Sequence, residues 1–148
     1  MGLAERAIDA CESAMKRGAI SERHVRDILK CKDIDVSRIE PFLKHSDSMI
    51  RLAAVRIVGE KGDVQALIDM VKDEKGFLVM SEIIDQLRKH GSSGLEALAN
   101  LLQEKDTLLR EIVIEMFRKS GRKDCLFPLL FDDNDLMVTR IKRYFDEK

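Results

Sequence analysis

Apolar residues recur along this chain in a short signature that occurs four times. Ile39-x-x-Phe42-Leu43, Leu67-x-x-Met70-Val71, Leu98-x-x-Leu101-Leu102 and Leu126-x-x-Leu129-Leu130 begin 28, 31 and 28 residues apart. A second apolar series follows each copy. Ile50, Val79, Leu109 and Met137 open it, at intervals of 29, 30 and 28 residues. Four residues on stand Ala54, Ile83, Val113 and Ile141, and four further Val58, Leu87, Phe117 and Phe145. Spacings of three and four put each set on one helix face. Ala53, Ile57, Ile112, Met116 and Tyr144 widen that face. The pattern predicts first-series helices near 35–45, 64–73, 93–104 and 123–132. It predicts second-series helices near 48–61, 77–90, 107–120 and 135–147.

The polar positions punctuate this pattern. Gly62, Gly91 and Gly121 each close a second-series helix, as glycine commonly does. Between the two helices of each unit lies a polar turn: Ser46-Asp47-Ser48, Asp73-Glu74-Lys75-Gly76, Glu104-Lys105-Asp106 and Asp132-Asp133-Asn134. Asp and Ser at such positions cap the helix that follows. Pro41 and Pro128 occupy the same place in two units, and proline fits a first helical turn. Turns this short make each helix pair antiparallel.

Residues 1–33 are less regular. Leu3, Ala7, Ile8, Cys11, Ala14 and Met15 form one stripe, ended by Gly18. Ser21 caps a second helix carrying Val25, Ile28 and Leu29. These two helices make a divergent hairpin, as the terminal unit of a repeat array should be. A unit of about 30 residues cannot bury its own apolar face, so neighbouring units must cover one another. The expected fold is all-α: one domain over residues 1–148, a right-handed α-solenoid of about five antiparallel helical hairpins, with 1–33 as the cap and 34–148 as four repeats.

Asp47-x-x-Ile50-Arg51-x-x-Ala54-x-x-x-Val58-Gly59-x-x-Gly62 resembles the second helix of a HEAT repeat. The period resembles the short HEAT-like repeats of phycobilisome-lyase-type proteins. Asp106-x-x-Leu109-Arg110 matches again, whereas the third copy has Gly76 and Met80 and the fourth Asn134 and Val138. The resemblance implies a stack whose second helices line a concave binding face. It also implies that the arginine pairs with an aspartate of a turn. The i,i+4 pairs Asp47–Arg51 and Asp106–Arg110 are the candidates the spacing offers, each worth about 0.3–0.5 kcal/mol on an exposed helix.

Composition narrows the function classes. With 45% hydrophobic, 36% charged and 5% aromatic residues and no Trp, the chain suits a helix-rich domain and not an all-β one. The net charge of −1, from 26 basic and 27 acidic residues, argues against a dedicated nucleic-acid binder. Cys11, Cys31 and Cys125 lack metal or redox spacing and are expected as reduced thiols in or near the core. No signal-peptide pattern or apolar span is visible, and Arg6 stands where N-myristoylation wants Ser or Thr. A cytoplasmic protein without a membrane contact is the expectation.

No phosphate-loop, dinucleotide, zinc-protease or serine-nucleophile motif occurs. His24, His45 and His90 are isolated and read as helix-end residues. The run Asp132-Asp133-Asn134-Asp135 reads as a helix start and not as a cation loop. No enzyme, cofactor or metal is therefore expected. Residues 48–61, 77–90, 107–120 and 135–148 carry a net charge of +4 against −5 elsewhere. Arg56, Arg88, Lys89, Arg118, Lys119, Lys142 and Arg143 lie off the apolar stripe. Val55, Ile84 and Ile114 form an apolar column expected to pack between units, while Leu52 and Met80 lie further round and are expected at the surface. The expected function is a non-enzymatic protein-interaction module or adaptor. Its candidate partner-binding face is Leu52, Arg56, Met80, Arg88, Arg118 and Arg143. The alternatives are a nucleic-acid-binding stack like the HEAT-like DNA glycosylases, weakened by the charge balance and the missing Trp, and an accessory subunit of an enzyme such as a lyase.

Overall fold

The computed structural model describes residues 2–62, 64–104 and 107–147. All regular structure among them is helical. The chain divides into two compact units, residues 1–94 and 95–148.

The first unit opens with the hairpin α1 (Leu3–Lys16) and α2 (Glu22–Leu29). Ser21 begins α2 through a capping box in which His24 Nδ1 accepts the Ser21 backbone N–H at 3.1 Å. The first-series segment of the next repeat is not an α-helix. It forms two 3-10 turns, Val36–Arg38 and Glu40–Lys44. Then come α3 (Ser48–Lys61), α4 (Val64–Val71) and α5 (Phe77–Lys89). Asp47 caps α3 by accepting the Met49 N–H at 2.8 Å. Helix α3 is the hub, packed by α2, the 3-10 turns, α4 and α5. Ile28, Ile39, Ile57, Leu67, Ile83 and Leu87 form the centre of this unit's core, all fully buried.

The unit boundary falls within α6 (Gly91–Leu101). The second unit continues with α7 (Leu108–Lys119), a 3-10 segment Lys123–Phe131 and α8 (Asp135–Asp146). Thr107 caps α7 through the Arg110 N–H, and Asn134 caps α8 through the Leu136 and Met137 N–H groups. The 3-10 segment packs on both α7 and α8. Leu98, Leu102, Phe117, Leu126 and Ile141 are buried at its core.

All four second-series helices begin and end within one or two residues of the expected positions. The first series departs in the two units that carry proline. Pro41 and Pro128 lie within 3-10 turns, while the proline-free copies form α4 and α6. Proline lacks an N–H and clashes with the carbonyl four residues back, so an α-helix cannot run through it. Leu3, expected in the α1 stripe, is 78% exposed, and Phe145, expected in the α8 stripe, is 39% exposed. Gly91 and Gly121 have positive φ, as helix-closing glycines do. Gly62 ends α3 in an extended conformation instead. It is small because Val36 Cγ2 lies 2.6 Å from where its Cβ would be.

Candidate functional site

The arginines expected on the second-series face are set by their helices but not left open. Arg56, on α3, donates to both carboxylate oxygens of Glu22 at 2.8 and 3.0 Å and lies 3.7 Å from Glu82 of α5. The Arg56 hydrogen bonds hold the Glu22 carboxyl below its usual range. Burial pushes the Glu82 carboxyl up, and neighbouring Asp85 adds to that rise. Arg88 pairs with Asp85 one turn back on α5 at 2.7 Å. Arg118, on α7, makes a bidentate bridge to Glu147 at 2.7 and 3.1 Å, and its guanidinium sits 4.5 Å above the Tyr144 ring. The Arg118 bridge depresses the Glu147 carboxyl. Arg143 is exposed on α8.

The two apolar members of that face are placed differently from the expectation. Met80 is buried, because α5 packs against both α3 and α4 and its apolar arc is correspondingly wide. Leu52 is only half exposed. The column Val55, Ile84 and Ile114 is fully buried, as expected of packing residues. Within the first unit the structure therefore offers Arg56 and Arg88, already engaged, with Leu52 between burial and exposure. Within the second it offers Arg118, engaged, and Arg143.

Arg51 and Arg110 act as structural anchors, each reaching an acid in the following turn. Arg51 reaches the turn of the next repeat. It grips both Glu74 oxygens at 2.9 and 3.1 Å and donates to the His45 and Ser46 carbonyls at 2.8 and 3.0 Å. Arg110, itself buried, likewise bridges to the largely covered Asp132, in the following turn, at 2.9 Å. Asp106, the other candidate, lies outside the described residues. Asp132 is thus paired with Arg110, and Asp135 lies in the first turn of α8, where the helix dipole favours an acidic residue.

The surface feature that the sequence reading missed is apolar. Nine large hydrophobic residues are exposed among the described residues, and six of them lie on first turns of helices: Leu3, Met49, Phe77, Leu78, Leu108 and Leu136. Helical side chains point back toward the N-terminus, so a first-turn side chain projects beyond its own helix, with no preceding turn to lie on. Met49, Leu78, Leu108 and Leu136 each immediately precede the opening residue of a second-series stripe, and they are 57%, 64%, 54% and 81% exposed. The signal was present in the sequence. These four repeat at the same 29, 30 and 28 intervals as the stripe itself, on positions that helical geometry does not need for packing.

Comparison with protein-family models, with curated proteins and with solved structures finds no match to this chain. An open groove of about 1110 Å³ in the first unit lies over the Arg51–Glu74 bridge, with Pro41, Leu43, Met70, Lys44, Asp69 and Asp73 among its lining. Its walls mix both charge signs. The buried Cys11 thiol is pushed up to about 11 by burial and stays protonated at neutral pH. Among the described residues no helix is long and apolar enough to cross a membrane.

Proposed function

We propose that this chain is a HEAT-like α-solenoid of about five antiparallel hairpins, right-handed as that family is, and that it works as a non-enzymatic protein-interaction module in the cytoplasm. The observation that carries this reading is the recurrence of an exposed Met or Leu at one register position of every repeat: Met49, Leu78, Leu108 and Leu136. Single exposed leucines are ordinary, but the same position in four repeats is a pattern, and exposed apolar surface is the material of protein interfaces. The repeat's second helices thus contribute to binding through their first turns, and not through the arginines further along them. Engagement of Arg56, Arg88 and Arg118 by carboxylates also speaks against a phosphate-binding row.

Affinity capture from the native cell tests this with one variant. The quadruple change Met49→Ser, Leu78→Ser, Leu108→Ser and Leu136→Ser touches only exposed side chains. It should keep the helical circular dichroism and melting temperature while losing the partners that wild type captures. Retention of the same partners by the quadruple variant, or capture of none by wild type, would sink the reading.

A further inference from the structure

The N-terminal hairpin gathers cations that its own acids do not neutralise. Residues 16–32 hold six Lys or Arg and two acids, a net +4 in a chain whose total is −1. Glu22, one of the two acids, is engaged elsewhere. Arg56 of α3 takes both its oxygens and holds its carboxyl low, with a lesser contribution from Arg26. Lys16 bridges to Glu12 at 3.7 Å, and Arg23 to Asp27 at 4.0 Å. Arg17, Arg26, Lys30 and Lys32 are exposed and form no ion pair with any described residue. Later in the same unit the pattern is different: every arginine from Arg38 to Arg88 is held by a carboxylate.

Helical periodicity puts these charges side by side. Arg23, Arg26 and Lys30 stand at i, i+3 and i+7 on α2 and its C-cap, on one face. Val25 and Ile28 point the other way, into the core that α2 forms with α1 and α3. Arg17 lies in the turn that leads into α2, and Lys32 two residues beyond its cap. Cations held together on one face repel each other, and an acid brought to them relieves that repulsion. Among the described residues no large hydrophobic side chain between Leu3 and Met49 is exposed. The face therefore has neither an apolar wedge for a lipid surface nor an open aromatic ring to stack on a base. The net charge of −1 also disfavours a long polyanion. We infer that α2 docks an acidic helix of a protein partner, whose Glu or Asp side chains at matching i, i+3 and i+7 positions meet Arg23, Arg26 and Lys30. This surface is separate from the apolar row of the interaction-module reading and is recognised by charge.

The test uses the full chain and a labelled synthetic helix of about 15 residues with Glu at i, i+3, i+4 and i+7 and Ala or Gln elsewhere. A twin with Gln in place of every Glu is the control. A single-stranded RNA of about 15 nucleotides and vesicles of anionic lipid are the rival ligands. Fluorescence anisotropy at low salt should show the Glu helix binding, more weakly as salt rises, and the Gln twin not binding. Arg26→Gln with Lys30→Gln should weaken the Glu helix roughly tenfold. Arg17→Gln with Lys32→Gln, outside α2, should weaken it by a smaller factor, whatever the first pair does to the helix. Lys119→Gln with Lys142→Gln, two exposed cations of the second unit, should leave it unchanged. Each pair is exposed, and an unaltered melting temperature verifies that the variant is folded. No binding of the Glu helix, equal binding of the Gln twin, or tighter binding of the RNA or the vesicles each overturns the inference. So does full binding by both hairpin variants, or an equal loss in the Lys119 and Lys142 variant. Failure here leaves the apolar row untouched. The native-cell capture with its quadruple variant, which alters no cation, decides separately whether the chain is an interaction module.

Discussion

Gly59 sits on the face of α3 that meets α5, where a Cβ would lie 2.5 Å from Gln86 Cγ and Oε1. Gln86 is itself buried, 3% exposed, so it has little room to move aside. Its Oε1 has no hydrogen-bond partner among the described residues. The glycine is therefore a packing choice within the last turn of α3, where Ala would otherwise be favoured by up to about 1 kcal/mol. Gly59→Ala should destabilise the protein by about 1–3 kcal/mol through overpacking. In a Gln86→Ala background the same change should become stabilising. Urea denaturation of the four variants checks this, and a stabilising Gly59→Ala in the wild-type background would refute it. The sequence marked Gly59 as part of the motif that opens at Asp47, but it could not show that Gln86, 27 residues on, was the reason. Met80 shows the same gap from the other side. Its helical angle suggested exposure, and two neighbouring helices cover it.

At the scale of elements, the bond between one repeat and the next runs through an arginine early in a second-series helix and an acid in the following turn. Arg51–Glu74 and Arg110–Asp132 are separated by 23 and 22 residues, and the two copies lacking the arginine lack this tie. Glu74 carries an added duty, accepting the Gly76 N–H at 2.7 Å at the start of α5, where the N-cap residue Gly76 has no side chain to cap with. Burial works to raise the Glu74 carboxyl. The Arg51 and Gly76 hydrogen bonds outweigh it, and the group titrates below its ordinary 4.5. Since the folded protein binds this proton less readily than the unfolded chain, the contribution of Glu74 is complete above pH 4.5 and is lost as pH falls through the lowered value. Glu74→Gln should lower stability at neutral pH by about 2–3 kcal/mol, the loss of one charge from a buried pair whose arginine keeps two carbonyl partners. It should also flatten the acid limb of the stability–pH curve. An acid limb identical to wild type would show that Glu74 is not responsible for it.

Across the whole molecule, ion pairs recur at the repeat spacing. Lys89–Glu60, Arg118–Glu147 and Arg140–Glu111 each join residues 29 apart, the first in the first unit and the other two in the second. Some of the basic residues of the second-series helices thus hold neighbouring repeats together, while Lys119, Lys142 and Arg143 face outward. This divides the arginines of the expected binding face into two kinds. Arg88 pairs within its own helix, while Arg118 joins α7 to the end of α8 and lies over Tyr144. Arg118→Gln should therefore lower the melting temperature, with the loss shrinking in high salt, and Arg88→Gln should leave it almost unchanged. Equal effects of the two substitutions would show that the pairing across 29 residues contributes nothing.

What the sequence determined by itself is what local periodicity and local chemistry carry. The four second-series helices, the N-terminal hairpin, the caps at Asp47 and Ser21 and the buried column Val55, Ile84 and Ile114 follow from spacings of three and four and from residues that satisfy their own helix ends. The exposed row at Met49, Leu78, Leu108 and Leu136 was also legible, as a repeat on positions that packing does not require. Tertiary structure alone decided the rest. It chose Glu74 and Asp132 as the partners of Arg51 and Arg110, because a long guanidinium side chain can reach carboxylates that are far apart in sequence and adjacent in space. It buried Met80, because burial depends on how many neighbours a helix has and not on its own pattern. It also gathered Phe127 and Phe131 into one exposed pair, since ring-to-ring contact depends on the backbone path around Pro128, and that path is a 3-10 turn where periodicity alone predicted an α-helix.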